Sequence, residues 1–179
     1  MEFFYIEPPL TEAHYEAWHH CDFCNQFSEE VLGHLDEGYS VRRAICINCI
    51  GSLMIGKKYK HFKGDTYKVL AIAMEIINMV KYVVYTGEDI QTEPLNLELE
   101  GYKVLYIGRN TTNLSRQVVF QHEDKPPVVS QISSFNSLLT SVSLKTDFDL
   151  PDAQNVWIRS LEEFTGLKDG KPRFEEVIE

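Results

Sequence analysis

Along most of this chain apolar residues alternate with polar ones or bunch into short runs, a pattern of strands more than of long helices. The clearest run, Tyr67-Lys68-Val69-Leu70-Ala71-Ile72, returns 35 positions later as Tyr102-Lys103-Val104-Leu105-Tyr106-Ile107. At the same offset Asn78 matches Asn113, Val83-Val84-Tyr85 matches Val118-Val119-Phe120, and Glu88-Asp89 matches Glu123-Asp124. Each copy (66–89 and 101–124) reads as a strand, a polar turn and a returning strand rich in valine and aromatics. The pattern predicts a duplicated β-hairpin, forming one enlarged barrel or two.

Flanking segments fill in the rest. A strand is expected from Phe3 to Ile6, then a Pro8-Pro9 break, then a helix starting near Thr11 and carrying Ala13, Tyr15, Ala17 and Trp18. Residues 31–35 and 39–45 flank Asp36-Glu37-Gly38 as a hairpin. Gln91 to Pro94 reads as a linker, and Phe135 to Val142 keeps helical spacing inside a Ser/Thr-rich stretch. Residues 156–159 form a last strong strand, Lys168-Asp169-Gly170-Lys171 a turn, and 173–178 a closing strand.

Cysteine placement adds the first chemistry. Cys21 and Cys24 form one C-x-x-C pair, Cys46 and Cys49 a second, and no other cysteine exists. Two thiolates three positions apart grip one tetrahedral ion from a tight turn, and a second pair at this distance completes a four-sulfur zinc cage. Four thiolates leave no open coordination position, so the implied zinc is structural. Redox thiols are the rival reading, but they need one pair in a thioredoxin-like βαβ setting. Knuckle, hairpin and second pair at a helix start is the order of a treble clef; a zinc ribbon stays open. His19 and His20 beside Cys21 suit the surface or a hydrogen bond to sulfur.

Composition narrows the class. In 179 residues, 44% hydrophobic and 12% aromatic content supports a packed core. No apolar run approaches the roughly 18 residues of a membrane span, and the start carries Glu2 and Glu7 where a secretory signal carries cations. A cytoplasmic protein with no membrane contact is expected. Net charge is −10, with nine acids against Arg42 and Arg43 in residues 1–50, and six lysines against four acids in 51–90. This balance disfavours nucleic acid as a partner, because binding it rests on neutralising phosphates.

Residues 57–64, Gly-less until the end (Lys57-Lys58-Tyr59-Lys60-His61-Phe62-Lys63-Gly64), interleave cations with aromatics. In a strand Lys58, Lys60 and Phe62 face one way and Tyr59, His61 and Lys63 the other. The plain reading is a solvated strand with one aromatic in the core; the sharper one is a ligand face, where aromatic surfaces beside cations suit a base or a phosphate. Trp157 and Arg159, two apart, share a side, and residue type alone favours the core for Trp157. The stretch Gly51 to Lys58 approximates a phosphate loop but has Lys58 where a Ser or Thr must hold magnesium. Asn110-Thr111-Thr112 matches a glycosylation sequon and is read as turn chemistry, and Glu162-Glu163 as exposed charge.

Tyr59-Lys60-His61-Phe62-Lys63-Gly64 with Tyr67-x-Val69, then Val83-Val84-Tyr85, then Trp157-Ile158-Arg159 with Phe164, then Asp169-Gly170-Lys171 with Arg173-Phe174 form an ordered set. That set resembles a short bacterial and phage domain, the domain-of-unknown-function family numbered 1653. Two departures stand out: Ser160 occupies the family's proline position, and about seventy residues separate Tyr85 from Val156 where the family is compact. The resemblance covers about the C-terminal two thirds. It implies a small SH3-like β-barrel, an accessory role in phage or mobile elements, and no established activity.

Together these readings predict an α+β, mainly β protein: a treble-clef or ribbon zinc finger at 1–56, then an SH3-like β-barrel region at 57–179 enlarged by the duplicated hairpin. The expected function is non-enzymatic recognition of a protein partner or a small anionic or nucleotide ligand, with homo-oligomers formed through edge pairing. His61, Lys63, Tyr67, Tyr85, Trp157 and Arg159 are the candidate ligand-binding residues, and Cys21, Cys24, Cys46 and Cys49 the Zn2+ ligands. The alternative is an enzyme acting on nucleotides or nucleic acid through His61, Lys63 and Arg159, with zinc only stabilising the scaffold.

Overall fold

Strands rich in valine, isoleucine and tyrosine stay extended because branched and aromatic side chains pack well on a pleated surface. The computed structural model describes residues 54–75, 80–139 and 150–178, with the backbone of three further strands at 3–5, 31–35 and 42–46. Those three, β1 (Phe3–Tyr5), β2 (Val31–Leu35) and β3 (Arg42–Cys46), pair antiparallel in the order β1-β2-β3. The expected helix at 11–18, the segment 50–53, and Cys21, Cys24 and Cys49 lie outside the described residues.

The larger sheet contains β4 (Lys58–His61), β5 (Thr66–Glu75), β6 (Lys81–Gly87), β7 (Leu97–Leu99), β8 (Tyr102–Asn110), β9 (Arg116–His122), β10 (Val128–Gln131), β11 (Trp157–Ser160) and β14 (Phe174–Glu176). Between β11 and β14 lies a small hairpin of β12 (Leu167–Lys168) and β13 (Lys171–Pro172). Helix α1 (Ile132–Leu138) follows β10 directly, and α2 (Leu161–Thr165) follows β11. The protein is mainly β with few helices. No helix among the described residues is long and apolar enough to cross a membrane.

Six strands close into a ring in the order β5-β6-β11-β8-β9-β10, because β10 pairs both with β9 and with β5. The β11–β8 and β10–β5 seams are parallel; the other four pairings are antiparallel. Both hairpins thus serve a single ring. Its interior holds Ala71, Val84, Tyr106, Val119, Val129 and Ile158, one residue from every strand. On the outside, Val104, Ile107, Val118 and Phe120 pack under Ile132 and Phe135 of α1. Because strands are covered on both faces, they read as continuous apolar runs.

Pairing repeats between the two hairpins residue for residue. Val69↔Tyr85, Ala71↔Val84 and Ile72↔Val83 correspond to Val104↔Phe120, Tyr106↔Val119 and Ile107↔Val118, each shifted by 35. A bulge falls between Val69 and Ala71 in one and between Val104 and Tyr106 in the other, so the extra residue turns each strand from the outer layer into the ring. The correspondence runs further than the 35-residue offset. Trp157 lies between Tyr85 and Arg109 as Val128 lies between Phe120 and Met74, and Ile158 sits as Val129 does. Leu161 and Phe164 of α2 then match buried Ile132 and Phe135 of α1. Each half is therefore a hairpin, a third strand and a short helix, with one half's strand and helix delayed until after the other half is complete.

Helix α1 starts three residues before the expected Phe135, and residues 140–149 lie outside the described set. Ser160, at the family's proline position, caps α2: its Oγ accepts the Glu163 N–H at 3.2 Å, with Glu162 and Glu163 favourably placed in the first turn.

The ring leaves little room at the β8–β11 seam. A Cβ on Gly108 would lie 2.9 Å from the Val156 carbonyl oxygen and 3.0 Å from Ile158 Cδ1. Gly108→Ala is expected to lower stability by about 1–3 kcal/mol, since backbone cannot step aside. Chemical denaturation measures this, and unchanged stability would mean that β11 does not sit against β8 this closely.

Candidate functional site

Outward-facing positions on β11 frame the site. Ile158 points into the ring with no exposed surface, so Trp157 and Arg159 on either side point out. Trp157 is 36% exposed, which corrects the core placement its residue type favours. Its counterpart in the other half is Val128, and that of Arg159 is Ser130.

A cleft of about 230 Å³ opens here, lined by His61, Tyr67, Tyr85, Thr111, Trp157, Arg159 and Phe174. Five of the six residues expected from sequence thus meet. Lys63 does not: it sits exposed in the turn after β4, its Nζ 5.9 Å from the Phe62 ring. Phe174 and Thr111 were not among the expected residues. Phe174 pairs with His61 across the β14–β4 ladder, and it stacks on Phe164 at 4.0 Å with the rings 7° from parallel. Thr111, in the β8–β9 turn, is brought in by its N–H donating to the Ile158 carbonyl at 3.0 Å.

Aromatic rings form the walls. Tyr67 and Tyr85 meet edge to face at 5.3 Å, His61 lies 4.8 Å from Phe174, and Tyr85 lies 5.4 Å from Phe164. Such edge contacts orient rings as well as burying them. Arg159 crosses this wall: its Nε donates to Tyr85 Oη at 3.3 Å, its Nη1 to Glu163 Oε2 at 3.2 Å, and its guanidinium carbon lies 6.0 Å from the Phe174 centroid. The Glu163 contact adds little energy at a half-exposed site, but it holds the guanidinium in place. Glu163 is therefore not merely exposed charge.

Hydrogen-bond direction gives the cleft a single character. The Lys63 N–H donates to His61 Nδ1 at 3.4 Å, so the neutral imidazole carries its proton on Nε2. Burial pushes the pKa of His61 down, and the cations Arg159, Arg173 and Lys63 push it further, against an opposing pull from Asp65. Burial likewise raises the Tyr85 phenol, only partly offset by the Arg159 hydrogen bond, so its hydroxyl stays protonated. Because that oxygen accepts from Arg159, its own proton is available to donate. Among the described residues no carboxylate lines the cleft. His61, Tyr85 and Arg159 all present donors to whatever enters.

A second cleft of about 290 Å³, lined by Lys68, Glu88, Asp89 and Glu93 among others, has no aromatic wall, and Glu88 is paired to Lys58 at 2.8 Å. Of the expected zinc ligands only Cys46 falls on a described strand. It is the last residue of β3, opposite Val31. Comparison of the chain with protein-family models, curated proteins and solved structures finds no match.

Burial, and after it the cations around the ring, set the titration of His61. NMR titration is expected to place His61 below the ordinary histidine value of 6.5, and Arg159→Leu to raise it by removing one of the cations. An unmoved titration in that variant would mean that Arg159 does not act on the ring. Because the folded pKa is lowered, the unfolded chain binds its proton first, so this group costs stability as pH falls below 6.5.

Proposed function

We propose that the protein is a non-enzymatic binding module whose cleft takes a small anionic ligand with a planar aromatic part, of the nucleotide class. The observation that carries this reading is the convergence of donors from His61, Tyr85 and Arg159 between the rings of Tyr67, Trp157 and Phe174. A site whose described lining carries a cation and neutral donors but no carboxylate favours an oxyanion, and the exposed Trp157 ring favours a flat ring beside it. The chain's net charge of −10 favours a small anion over a polyanion, which the rest of the surface repels.

The two halves supply an internal comparison. Phe120, the counterpart of Tyr85, packs against Phe135 at 4.8 Å, inside a wholly apolar cluster. Trp157 and Arg159 replace Val128 and Ser130 only where the cleft is open. Most of the residues that carry the resemblance to the family numbered 1653 fall on β4, β5, β6, β11, α2 and β14, the others on the turns and the small hairpin between them. In this reading the SH3-like unit implied by the resemblance would be that half of the ring, with the second hairpin, β10 and α1 as the insertion. The enzymatic reading needs Lys63 beside His61 and Arg159, and Lys63 stands outside the cleft.

The first third, in this reading, is a zinc finger with Cys21, Cys24, Cys46 and Cys49 as ligands. The donor set fits: four thiols, no competing cysteine, and Cys46 at the end of a strand, where a knuckle can begin. Zinc there would supply folding energy and no chemistry.

Titration calorimetry with nucleoside monophosphates, adenosine and inorganic phosphate tests the binding reading on the full chain. Monophosphates are expected to bind best, and Trp157→Ala and Arg159→Leu each to weaken them by roughly tenfold or more. No binding across the panel, or equal affinity in both variants, sinks it; turnover of a bound nucleotide supports the enzymatic reading instead. Elemental analysis of anaerobically purified, reduced protein is expected to return one zinc per chain, lost in Cys49→Ser. Metal-free wild type would remove the finger.

A further inference from the structure

Thr111 is the part of the cleft contributed by the other half. Every backbone N–H from Asn110 to Ser115 is hydrogen-bonded. Asn110 Oδ1 accepts the N–H groups of Thr112 and Asn113 at 2.8 and 3.4 Å, Asn113 Oδ1 accepts from Ser115 N and Oγ at 3.0 and 2.7 Å, and the Leu114 N–H donates to the Asn110 carbonyl at 2.9 Å. The Thr111 N–H is tied to the Ile158 carbonyl, between the two side chains that frame the site. One group in this turn is left over. Thr111 Oγ1 is shielded from solvent and has no hydrogen-bond partner among the described residues, although Thr111 lines the cleft.

A shielded hydroxyl without a partner destabilises the fold that contains it, so its presence calls for a partner that arrives later. We propose that Thr111 is the specificity-determining residue of the cleft: its hydroxyl, shielded in this structure, turns about χ1 to face the cleft and donates to the ligand's oxyanion. This inference rests on the anion-binding reading of the same site and deepens it. Trp157 and Tyr67 recognise the flat ring, Arg159 supplies charge, and Thr111 adds a neutral donor from across the β8–β11 seam, beside those of His61 and Tyr85. The ligand is then an aromatic oxyanion long enough to span both halves, a nucleoside monophosphate rather than a free base or free phosphate. Thr111 also reinterprets the sequon-like Asn110-Thr111-Thr112: its asparagine shapes the turn and its first threonine faces the ligand.

Thr111→Val keeps the shape and removes the hydroxyl, and Thr111→Ser keeps the hydroxyl. Titration with AMP, adenosine and inorganic phosphate and a melting curve are needed for each. Thr111→Val is expected to weaken AMP by roughly tenfold, leave adenosine unchanged, and hold or raise Tm, because it deletes an orphaned polar group. Thr111→Ser should keep AMP binding within about threefold. AMP binding that is equal in wild type and Thr111→Val overturns this inference and leaves the anion site standing. A drop in Tm in Thr111→Val marks the hydroxyl as structural and overturns it too. Wild type that binds none of the three overturns both readings together.

Discussion

Two short parallel seams, β11 against β8 and β10 against β5, hold the larger sheet together. Each is only two residue pairs long. Without them the hairpins would be separate ribbons with open edges, and edges recruit other chains. With them, one residue from every strand meets in a common interior, and the apolar interior packing that results is the main favourable term in the fold. Gly108 marks how tight one seam is, because the β11 backbone passes where any side chain would stand. Everything outside the ring takes its place from this closure, including the strand that carries Trp157 and Arg159.

The two halves share their ladder registers and differ in what covers them. Around Phe120 the cover is α1, and the contacts are all apolar. Around Tyr85 the cover is α2 with β14, and a phenol hydroxyl sits in the layer where its counterpart has only a ring edge. A buried hydroxyl needs a partner, and Arg159 meets that need through Nε while its Nη1 reaches Glu163. Placing a cation there in turn requires Glu163, one turn along α2, and Ser160 to start that helix. One polar substitution in an apolar layer thus brings a small network with it. That network is the difference between a filled corner and an open one.

Charge separates the cleft from the rest of the molecule. The chain is acidic, yet the groups acting on His61 are Arg159, Arg173 and Lys63, with Asp65 the only acid opposing them. Burial first, and then these cations, disfavour a proton on His61, and its ring nitrogens divide their roles, one accepting from backbone and one left to donate.

Local signals were enough to identify much of the chain by themselves. The 35-residue offset between Tyr67–Ile72 and Tyr102–Ile107 marked out both hairpins, because a repeated run of strand-forming residues folds alike; their register and bulges came from the structure. Trp157 and Arg159, two apart on a strand, had to share a face. Tertiary structure alone decided the rest. The match of β11 and α2 to β10 and α1 was hidden because it runs at a different offset and its order along the chain is interleaved with the first repeat. Thr111 was invisible as a site residue because it belongs to the other hairpin's turn and reaches the cleft only through ring closure. Trp157 looked like core by residue type, and Lys63 like part of the site by proximity along the chain. Periodicity records which face a residue takes within its own strand; which face is covered, and by what, depends on strands far away in sequence.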